Sequence, residues 1–314
     1  MYFNNILGQE FAKKYIINSI RNNKINHAYM FEGIDGIGKN LFAKELGNIL
    51  INTNNAENSP DYITIEPTGN SIKIAQIREL QSDIIIKPHS NYKIYVINDA
   101  QKMTVESQNA LLKTLEEPPE YAIIILITNN KESLLPTIKS RCEIIKFLPI
   151  SIMELKKYLM DKGIDEKRAL LLANFSRGSI EKALELSEST DFTIMRDDIQ
   201  NYIQHILDKN MIEILNIQSD MDKHKDKITV LLDMMINYFR DIMMDKENAN
   251  KSMIINADKI TFIKNMSKKI TYSQVSKIID IIEETKRKIR SNCNFNISIQ
   301  VMALNIYEVI KWLR

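Results

Sequence analysis

A short glycine-rich stretch carries the residue types that bind phosphate groups. Gly33, Gly38 and Lys39 fit the spacing G-x-x-x-x-G-K-[ST], and Gly36 lies inside it. In such a loop the glycines let backbone amides approach phosphate oxygens, and the lysine adds a positive charge beside them. The last position of the pattern should carry a hydroxyl group for Mg²⁺, and here it is Asn40. The stretch predicts a phosphate loop with one altered contact.

The sequence on either side of this loop supports the prediction. An apolar run, AYMFEG, precedes the loop and predicts a strand, and NLFAKELGNIL follows it and predicts a helix. The alternative is a plain glycine turn between strand and helix, which needs no lysine. Whether such a loop still binds ATP or ADP is a separate question that the pattern leaves open.

A second group of candidate residues follows another apolar run, YKIYVIND. Asn98 and Asp99 stand where a nucleotide-hydrolysing enzyme needs one carboxylate for Mg²⁺ and a second to activate water. Asn98 is neutral, and Asp99 is one methylene shorter than a glutamate. Together with Asn40, both magnesium-facing positions are amides, so we expect no ATP hydrolysis.

The composition restricts the class of protein. The 314 residues are 44% hydrophobic and 26% charged, with a formal net charge of +2, which does not indicate a free-standing nucleic-acid binder. The chain shows no apolar signal segment and no run long enough to span a membrane. Two cysteines, Cys142 and Cys293, and four scattered histidines show no metal-ligand spacing. We expect a cytoplasmic protein without a metal site.

The distribution of proline and glycine divides the chain. All seven prolines lie between Pro60 and Pro149, and the last glycine is Gly178, so the rest of the sequence favours helices. Before residue 150, five apolar runs alternate with helical patterns and predict an α/β domain with a parallel sheet. We therefore predict a P-loop domain at 1–150, a small helical lid at 151–203, and an all-α domain at 204–314. The strand runs are AYMFEG, DYITIEP, YKIYVIND, AIIILITNN and CEIIKFL.

Several local patterns refine this prediction. Ser151 and Glu154 have the spacing of a capping box at a helix start. Two long segments carry apolar residues at helical spacing, and each predicts one buried helix face. The first face comprises Ile228, Leu231, Met235, Phe239 and Ile242, and the second comprises Val275, Ile278, Ile282 and Ile289.

Three motifs resemble the clamp-loader subunits of bacterial DNA polymerase III, which belong to the AAA+ superfamily. They are ILGQEFAKKYIINSIRNNKINHAYMFEGIDGIGK, NALLKTLEEPPEYAIIILITNN and SRC, and the likeness runs almost continuously from Ile6 to Phe147. The end of the chain, RSNCNFNISIQVMALNIYEVI, resembles the last helix of the family's collar domain more loosely. The resemblance implies assembly with gamma/tau and delta subunits, loading of the sliding beta clamp, and contact with primed DNA through the complex.

Within that family the sequence is similar to a non-motor subunit. Motor subunits carry Lys-Thr where this chain has Lys39 and Asn40, and Asp-Glu where it has Asn98 and Asp99. A motif with a phosphate-sensing arginine places Glu181 at the arginine position. The resemblance thus implies a nucleotide site that has lost hydrolysis. ATP or ADP binding without turnover stays open, and so does the subunit stoichiometry.

The resemblance also implies roles for residues outside the loop. Arg141, in Ser140-Arg141-Cys142, corresponds to an arginine finger that acts in a neighbouring subunit's ATP site. The alternative is that Arg141 caps the helix before it. Thr128 and Asn129 stand at the family's sensor position, or they merely close a strand. We expect Cys142 to be a packed residue, without a reactive thiol.

Other features carry less chemistry. Glu116 and Glu117, in TLEEPP, are adjacent on a helix that the prolines end, so they do not face each other as a catalytic pair. The stretch INTNNAENSPDYITIEP lacks the cysteines of the family's zinc module, so no zinc is expected. The basic run Lys286–Arg290 could touch DNA or serve its helix end, and we leave it unassigned.

Two other functions compete with this interpretation. The first is an ATP-hydrolysing motor subunit of the gamma/tau kind, which Asn40, Asn98 and Glu181 disfavour. The second is a P-loop nucleotide kinase, which needs arginines in its lid. The predicted lid has only Arg168, Arg177 and Arg196. The resemblance implies a subunit of a DNA polymerase holoenzyme that has no polymerase active site of its own.

Overall fold

The computed structural model describes residues 2–208, 216–217, 221–247, 254–291 and 293–312. The chain divides into two compact units. The first unit comprises Met1–Tyr158 and Ser176–Leu184, and the second comprises Leu159–Phe175 and Glu185–Arg314.

A parallel sheet forms the centre of the first unit. Its strands are β1 (Ala28–Glu32), β2 (Tyr62–Ile65), β3 (Lys93–Ile97), β4 (Ala122–Thr128) and β5 (Glu143–Lys146). Their spatial order is β2-β3-β4-β1-β5, and every neighbouring pair is parallel. Each apolar run predicted to be a strand forms one of them, so the predicted parallel sheet is confirmed.

The sheet separates two apolar clusters. Successive residues of a strand point to opposite faces, so Tyr29 and Phe31 of β1 pack into one cluster while Ala28 and Met30 pack into the other. Every residue of β4 is buried. Burial on both faces explains why these strands read as unbroken apolar runs, and it is the reason a parallel sheet needs helices on each side.

Helices before and between the strands pack on the two faces. They are α1 (Glu10–Arg21), α2 (Lys39–Leu50), α3 (Ile74–Asp83), α4 (Val105–Glu116) and α5 (Pro136–Lys139). Helix α6 (Ile152–Asp161) follows the last strand. Ser151 and Glu154 exchange the two hydrogen bonds of a capping box at the start of α6, at 3.2 and 3.3 Å. The capping box predicted from their spacing is therefore confirmed.

Helices make up the second unit as far as the structure describes it. Helix α7 (Glu166–Phe175) belongs to this unit, and α8 (Ile180–Glu188) begins in the first unit and ends in the second. The helices that follow are α9 (Thr190–Leu207), α10 (Ile228–Lys246), α11 (Ile260–Ser267), α12 (Tyr272–Arg290) and α13 (Phe295–Trp312). Helix α10 packs against α9, α11 and α12, and α12 packs against α13. All five residues of the first predicted apolar face are buried on α10, and Val275, Ile278 and Ile282 are buried on α12.

The two compact units divide the chain at other positions than 150 and 203, and the domain boundaries there stay a prediction. The chain passes between the units after residues 158, 175 and 184, and α9 runs through position 203 without a break. The points after residues 158 and 184 lie inside α6 and α8, whereas the point after residue 175 is the end of α7, and composition alone gives no signal for a boundary inside a helix.

The basic run at the end of α12 contains a lysine that serves the fold. Lys286 is only 4% exposed, and its ammonium contacts the carboxylate of Asp233 on α10. Lys288 pairs with Glu284 on its own helix at 2.6 Å. Because Lys286 is buried and paired, it is not available to DNA.

No helix in the described ranges is both long enough and apolar enough to cross a membrane. The same residues contain no group of three or more His, Cys, Asp or Glu side chains that could hold a metal ion.

Candidate functional site

The phosphate loop lies between β1 and α2, as its pattern requires. Gly36 and Gly38 have φ values of +74° and +93°, a conformation that L side chains rarely adopt. Gly38 immediately precedes the first turn of α2, whose free backbone amides give the helix start a partial positive charge. The local geometry is thus that of a phosphate-binding loop.

Lys39 is turned onto its own loop. Its ammonium donates to the carbonyl of Gly33 at 2.5 Å and to that of Ile34 at 2.7 Å, and it lies 3.7 Å from a carboxylate oxygen of Asp35. The side chain is buried, and this burial lowers the pKa of Lys39. A phosphate group would have to displace these carbonyl groups before it could contact the Lys39 ammonium.

Asp99, at the end of β3, is engaged by its neighbours. One carboxylate oxygen accepts a hydrogen bond from Gln101 Nε2 at 2.9 Å, and the other accepts one from Lys102 Nζ at 2.8 Å. The hydrogen bond from Lys102 is the main reason that the pKa of Asp99 is lowered. A carboxylate whose pKa is lowered and which is already paired is a poor proton acceptor for an attacking water.

Asn98 faces a carboxylate that the sequence analysis missed. Its Nδ2 atom donates to Glu66 Oε1 at 3.3 Å. Glu66 directly follows β2, just as Asn98 directly follows β3, and parallel strands bring their carboxyl ends to one edge of the sheet. An acidic residue after a predicted strand was therefore a signal that could have identified Glu66.

The two residues at the sensor position, Thr128 and Asn129, make different contacts. Thr128 is buried, and its hydroxyl accepts a hydrogen bond from the amide of Asn130 at 3.1 Å, which closes the turn after β4. Asn129 reaches the phosphate loop instead, where its Nδ2 atom donates to Asp35 at 2.8 Å. The structure thus brings Asn129 to the loop and leaves Thr128 in a local turn.

The start of α8 packs directly on the phosphate loop. The amides of Ile180 and Glu181 donate to the carbonyl of Gly36 at 2.8 and 3.2 Å. A methyl group added at Gly36 would lie 2.2 Å from Ser179 Oγ. This contact joins positions far apart in the sequence, which gives no local signal for it.

The phosphate loop, the chain after β2 and β3, and the start of α8 line one cavity of about 580 Å³ within the first unit, whereas Gly33, Thr128 and Asn129 do not line it. Its lining includes Gly36, Gly38, Lys39, Asn40, Asn98 and Asp99 of the predicted site, with Glu66 and Glu181 in addition. The charged residues of this lining are Lys39 and four acidic residues, Asp35, Glu66, Asp99 and Glu181. Because Asp99 is paired with Lys102, three other carboxylates and one ammonium leave the lining negative, which opposes the approach of a polyphosphate unless cations accompany it.

Arg141 belongs to a separate site and does not line this cavity. It lies between α5 and β5, and its Nη1 atom donates to the carbonyl of Thr137 at 3.0 Å. Its Nη2 atom lies 2.6 Å from Glu116 Oε1, and its side chain is 34% exposed. The next residue, Cys142, is buried, which raises the pKa of its thiol to about 12. Cys142 is therefore the packed, unreactive residue that the sequence predicted.

Comparison with known proteins is consistent with this arrangement. A family model described as DNA polymerase III, delta subunit, matches residues 8–151, and one described as DNA polymerase III, delta subunit, C terminal, matches residues 191–306. DNA polymerase III subunit delta' of Bacillus subtilis strain 168 is 30% identical, over 94% of this chain and 95% of its own length.

Two further relatives are less similar. DNA polymerase III subunit tau of Bacillus subtilis is 27% identical, over 98% of this chain and 61% of its own length. Among solved structures, a DNA polymerase III gamma subunit-related protein of Thermotoga maritima is 18% identical, with a TM-score of 0.45, over 94% of this chain and 99% of that one.

Proposed function

Because this chain belongs to the DNA polymerase III delta and delta' subunit family, we propose that it is a non-motor, delta'-like subunit of a bacterial clamp loader. Its role is structural and regulatory within a complex whose other subunits hydrolyse ATP. It catalyses no polymerisation itself, although it belongs to a polymerase holoenzyme.

The observation that carries the non-motor assignment is the self-contained bonding of the phosphate loop. Lys39 is bound to the carbonyls of Gly33 and Ile34, and Asp99 is bound to Gln101 and Lys102. The magnesium-facing positions are the amides Asn40 and Asn98. A site with paired polar groups and without a free carboxylate at the metal position does not support phosphoryl transfer.

We further propose that any ATP or ADP held by this loop is bound weakly and is not hydrolysed. The loop and the start of α2 supply backbone amides for phosphates, which supports residual binding. The surrounding carboxylates and the engaged lysine oppose it. No zinc or other metal is proposed for the chain.

The proposed partners are the gamma/tau and delta subunits, the sliding beta clamp, and primed DNA held by the assembled complex. The relatives are themselves DNA polymerase III subunits, which supports assembly with gamma/tau and delta. A role in replication would place the chain in the bacterial cytoplasm. The helices of the second unit are proposed to form the collar that joins the subunits.

Arg141 is proposed to act in trans on a neighbouring ATP site. It is partly exposed, and it lies outside the cavity of its own phosphate loop. A guanidinium has a fixed charge and several donors, which suits it to charge that develops on a transferred phosphate. Its hydrogen bond to Thr137 shows that the chain also uses it at the end of α5, so both roles considered for Arg141 can apply.

A motor function of the gamma/tau kind is the alternative, since subunit tau of Bacillus subtilis matches nearly the whole chain. Absence of ATP turnover in the purified chain would separate the proposed subunit from a motor subunit, and co-purification from the native cell tests whether clamp-loader partners accompany it. A delta'-like subunit should elute from gel filtration together with the gamma/tau and delta subunits. The chain purified alone should show no ATP turnover. Recovery as a free monomer, or with partners unrelated to the clamp loader, would overturn the assignment.

A further inference from the structure

Glu116 is an acidic residue at a position where its own helix disfavours one. It is the last residue of α4, and the C-terminal end of a helix carries a partial negative charge. A cation at this position would be stabilised, whereas a carboxylate is not. The helix ends before Pro118 and Pro119, which requires no charge at position 116. Local structure therefore gives no reason for the carboxylate.

The tertiary structure supplies a reason for a carboxylate at position 116. Glu116 Oε1 lies 2.6 Å from Arg141 Nη2, while Arg141 Nη1 donates to the carbonyl of Thr137 at 3.0 Å. The guanidinium is thus held from two elements, the end of α4 and the helix α5. A long arginine side chain loses much rotamer freedom when it is fixed, and these two contacts fix it before any partner binds.

Arg141 keeps N–H donors that can still bind a phosphate group. A guanidinium has five N–H donors, and the contacts to Glu116, to Thr137 and, at 3.5 Å, to Ser140 Oγ engage at most three of them. The backbone is also anchored, because the amide of Arg141 donates to the carbonyl of Ile138 at 3.1 Å and the adjacent Cys142 is buried. Donors therefore stay available for a phosphate while the side chain keeps its orientation.

We infer that Glu116 is a positioning residue for Arg141, orienting its guanidinium so that it enters the neighbouring ATP site with little further ordering. The inference rests on the proposed role of Arg141 in trans. Preorganisation of a contact group lowers the entropy cost of forming the contact, so its loss slows the step that needs the contact. Glu116 itself touches no nucleotide.

The first experiment measures the orientation of Arg141 in the isolated chain. Nitrogen-15 spectra of the arginine guanidinium groups are recorded for the unmodified chain and for Glu116→Ala, with the Arg141 signal assigned by its loss in Arg141→Ala. We expect the Arg141 side chain to become markedly more mobile in Glu116→Ala. An Arg141 signal that is equally ordered without Glu116 would overturn the inference.

The second experiment measures ATP turnover in a complex reconstituted with the partner subunits, with assembly checked by gel filtration. Glu116→Ala should lower kcat by about two- to five-fold at the site that Arg141 serves, because a partly exposed ion pair contributes about that much. The KM for ATP should stay unchanged. Glu116→Gln keeps an acceptor oxygen and should retain part of the rate. In an Arg141→Ala background, Glu116→Ala should add no further loss.

The matched control is Glu117→Ala, which removes the same charge from the adjacent exposed position. It should leave turnover unchanged, and an equal fall would show a general charge effect and overturn the inference. If Arg141→Ala lowers turnover and Glu116→Ala does not, the inference fails while the role of Arg141 stands. If Arg141→Ala leaves turnover unchanged, the role in trans fails and the inference falls with it.

Discussion

The amide of Ile180 donates a hydrogen bond of 2.8 Å to the carbonyl of Gly36. This bond joins the first turn of α8 to the middle of the phosphate loop, across 144 positions of the sequence. It uses a helix N-terminus, which elsewhere could bind an anion, to hold the loop backbone. The loop is therefore a structural support for α8 as well as a candidate nucleotide site.

This contact predicts a difference between two glycines of the same loop. Gly36→Ala should destabilise the protein by the cost of a left-handed conformation, about 1–2 kcal/mol, and further because the new methyl group would lie 2.2 Å from Ser179 Oγ. Gly38→Ala has the same kind of backbone cost but no atom within 4 Å of the new methyl group. Urea unfolding of both variants should show the larger loss at position 36, and equal losses would mean that the α8 contact contributes nothing.

The isolated chain should hydrolyse ATP at no more than the background rate. Amides at positions 40 and 98 supply too little negative charge for Mg²⁺, and the paired Asp99 is a poor base. Phosphate release is measured with and without Mg²⁺, for the unmodified chain and for Lys39→Ala. Turnover that needs Mg²⁺ and disappears in Lys39→Ala would establish a motor subunit instead.

Arg141→Ala should slow ATP hydrolysis and clamp loading by the assembled complex without preventing assembly. An arginine finger contributes about 10³- to 10⁵-fold in rate at its own site, but the total rate falls only by that site's share unless the sites act cooperatively. Arg141→Lys should restore little, because an ammonium lacks the planar fork of a guanidinium. Steady-state hydrolysis on primed DNA tests both variants, and an unchanged rate would leave Arg141 with its contact to Thr137 as its main role.

Asp61 should make the first unit sensitive to acid. It is buried, which by itself raises its pKa, but the hydrogen bond from the Ser90 side chain and those from the amides of His89 at 3.0 Å and Ser90 at 2.7 Å together outweigh burial and lower the pKa below its ordinary value of 3.8. A carboxyl group with a lowered folded-state pKa stabilises the protein above its unfolded-state pKa and loses that contribution as the pH falls through the folded-state value.

Asp61→Asn should therefore cost about 1–3 kcal/mol near neutral pH and should flatten the loss of stability below about pH 4. Urea unfolding across that pH range measures both effects. Glu117→Gln, which removes an exposed carboxylate of the same unit, is the control and should change neither. An acid transition that is identical in Asp61→Asn and the unmodified chain would exclude Asp61 as its source.

Local features of the sequence determined most of the scaffold. The apolar runs predicted every strand of the sheet, because strands buried on both faces need unbroken apolar residues. The glycine and lysine spacing located the phosphate loop, because only glycine easily adopts the positive φ found at Gly36 and Gly38. Helical spacing identified the buried face of α10, since periodicity follows directly from helix geometry.

The tertiary structure decided which distant side chains meet. Glu116 and Arg141 are 25 positions apart, and nothing local to either residue indicates their contact at 2.6 Å. The same holds for Lys286, which periodicity could not distinguish from its exposed neighbours and which the packing of α12 on α10 buries beside Asp233. Residue types and spacing set conformation within a few turns of chain, whereas pairing across the fold depends on how the crossovers place whole helices and strands.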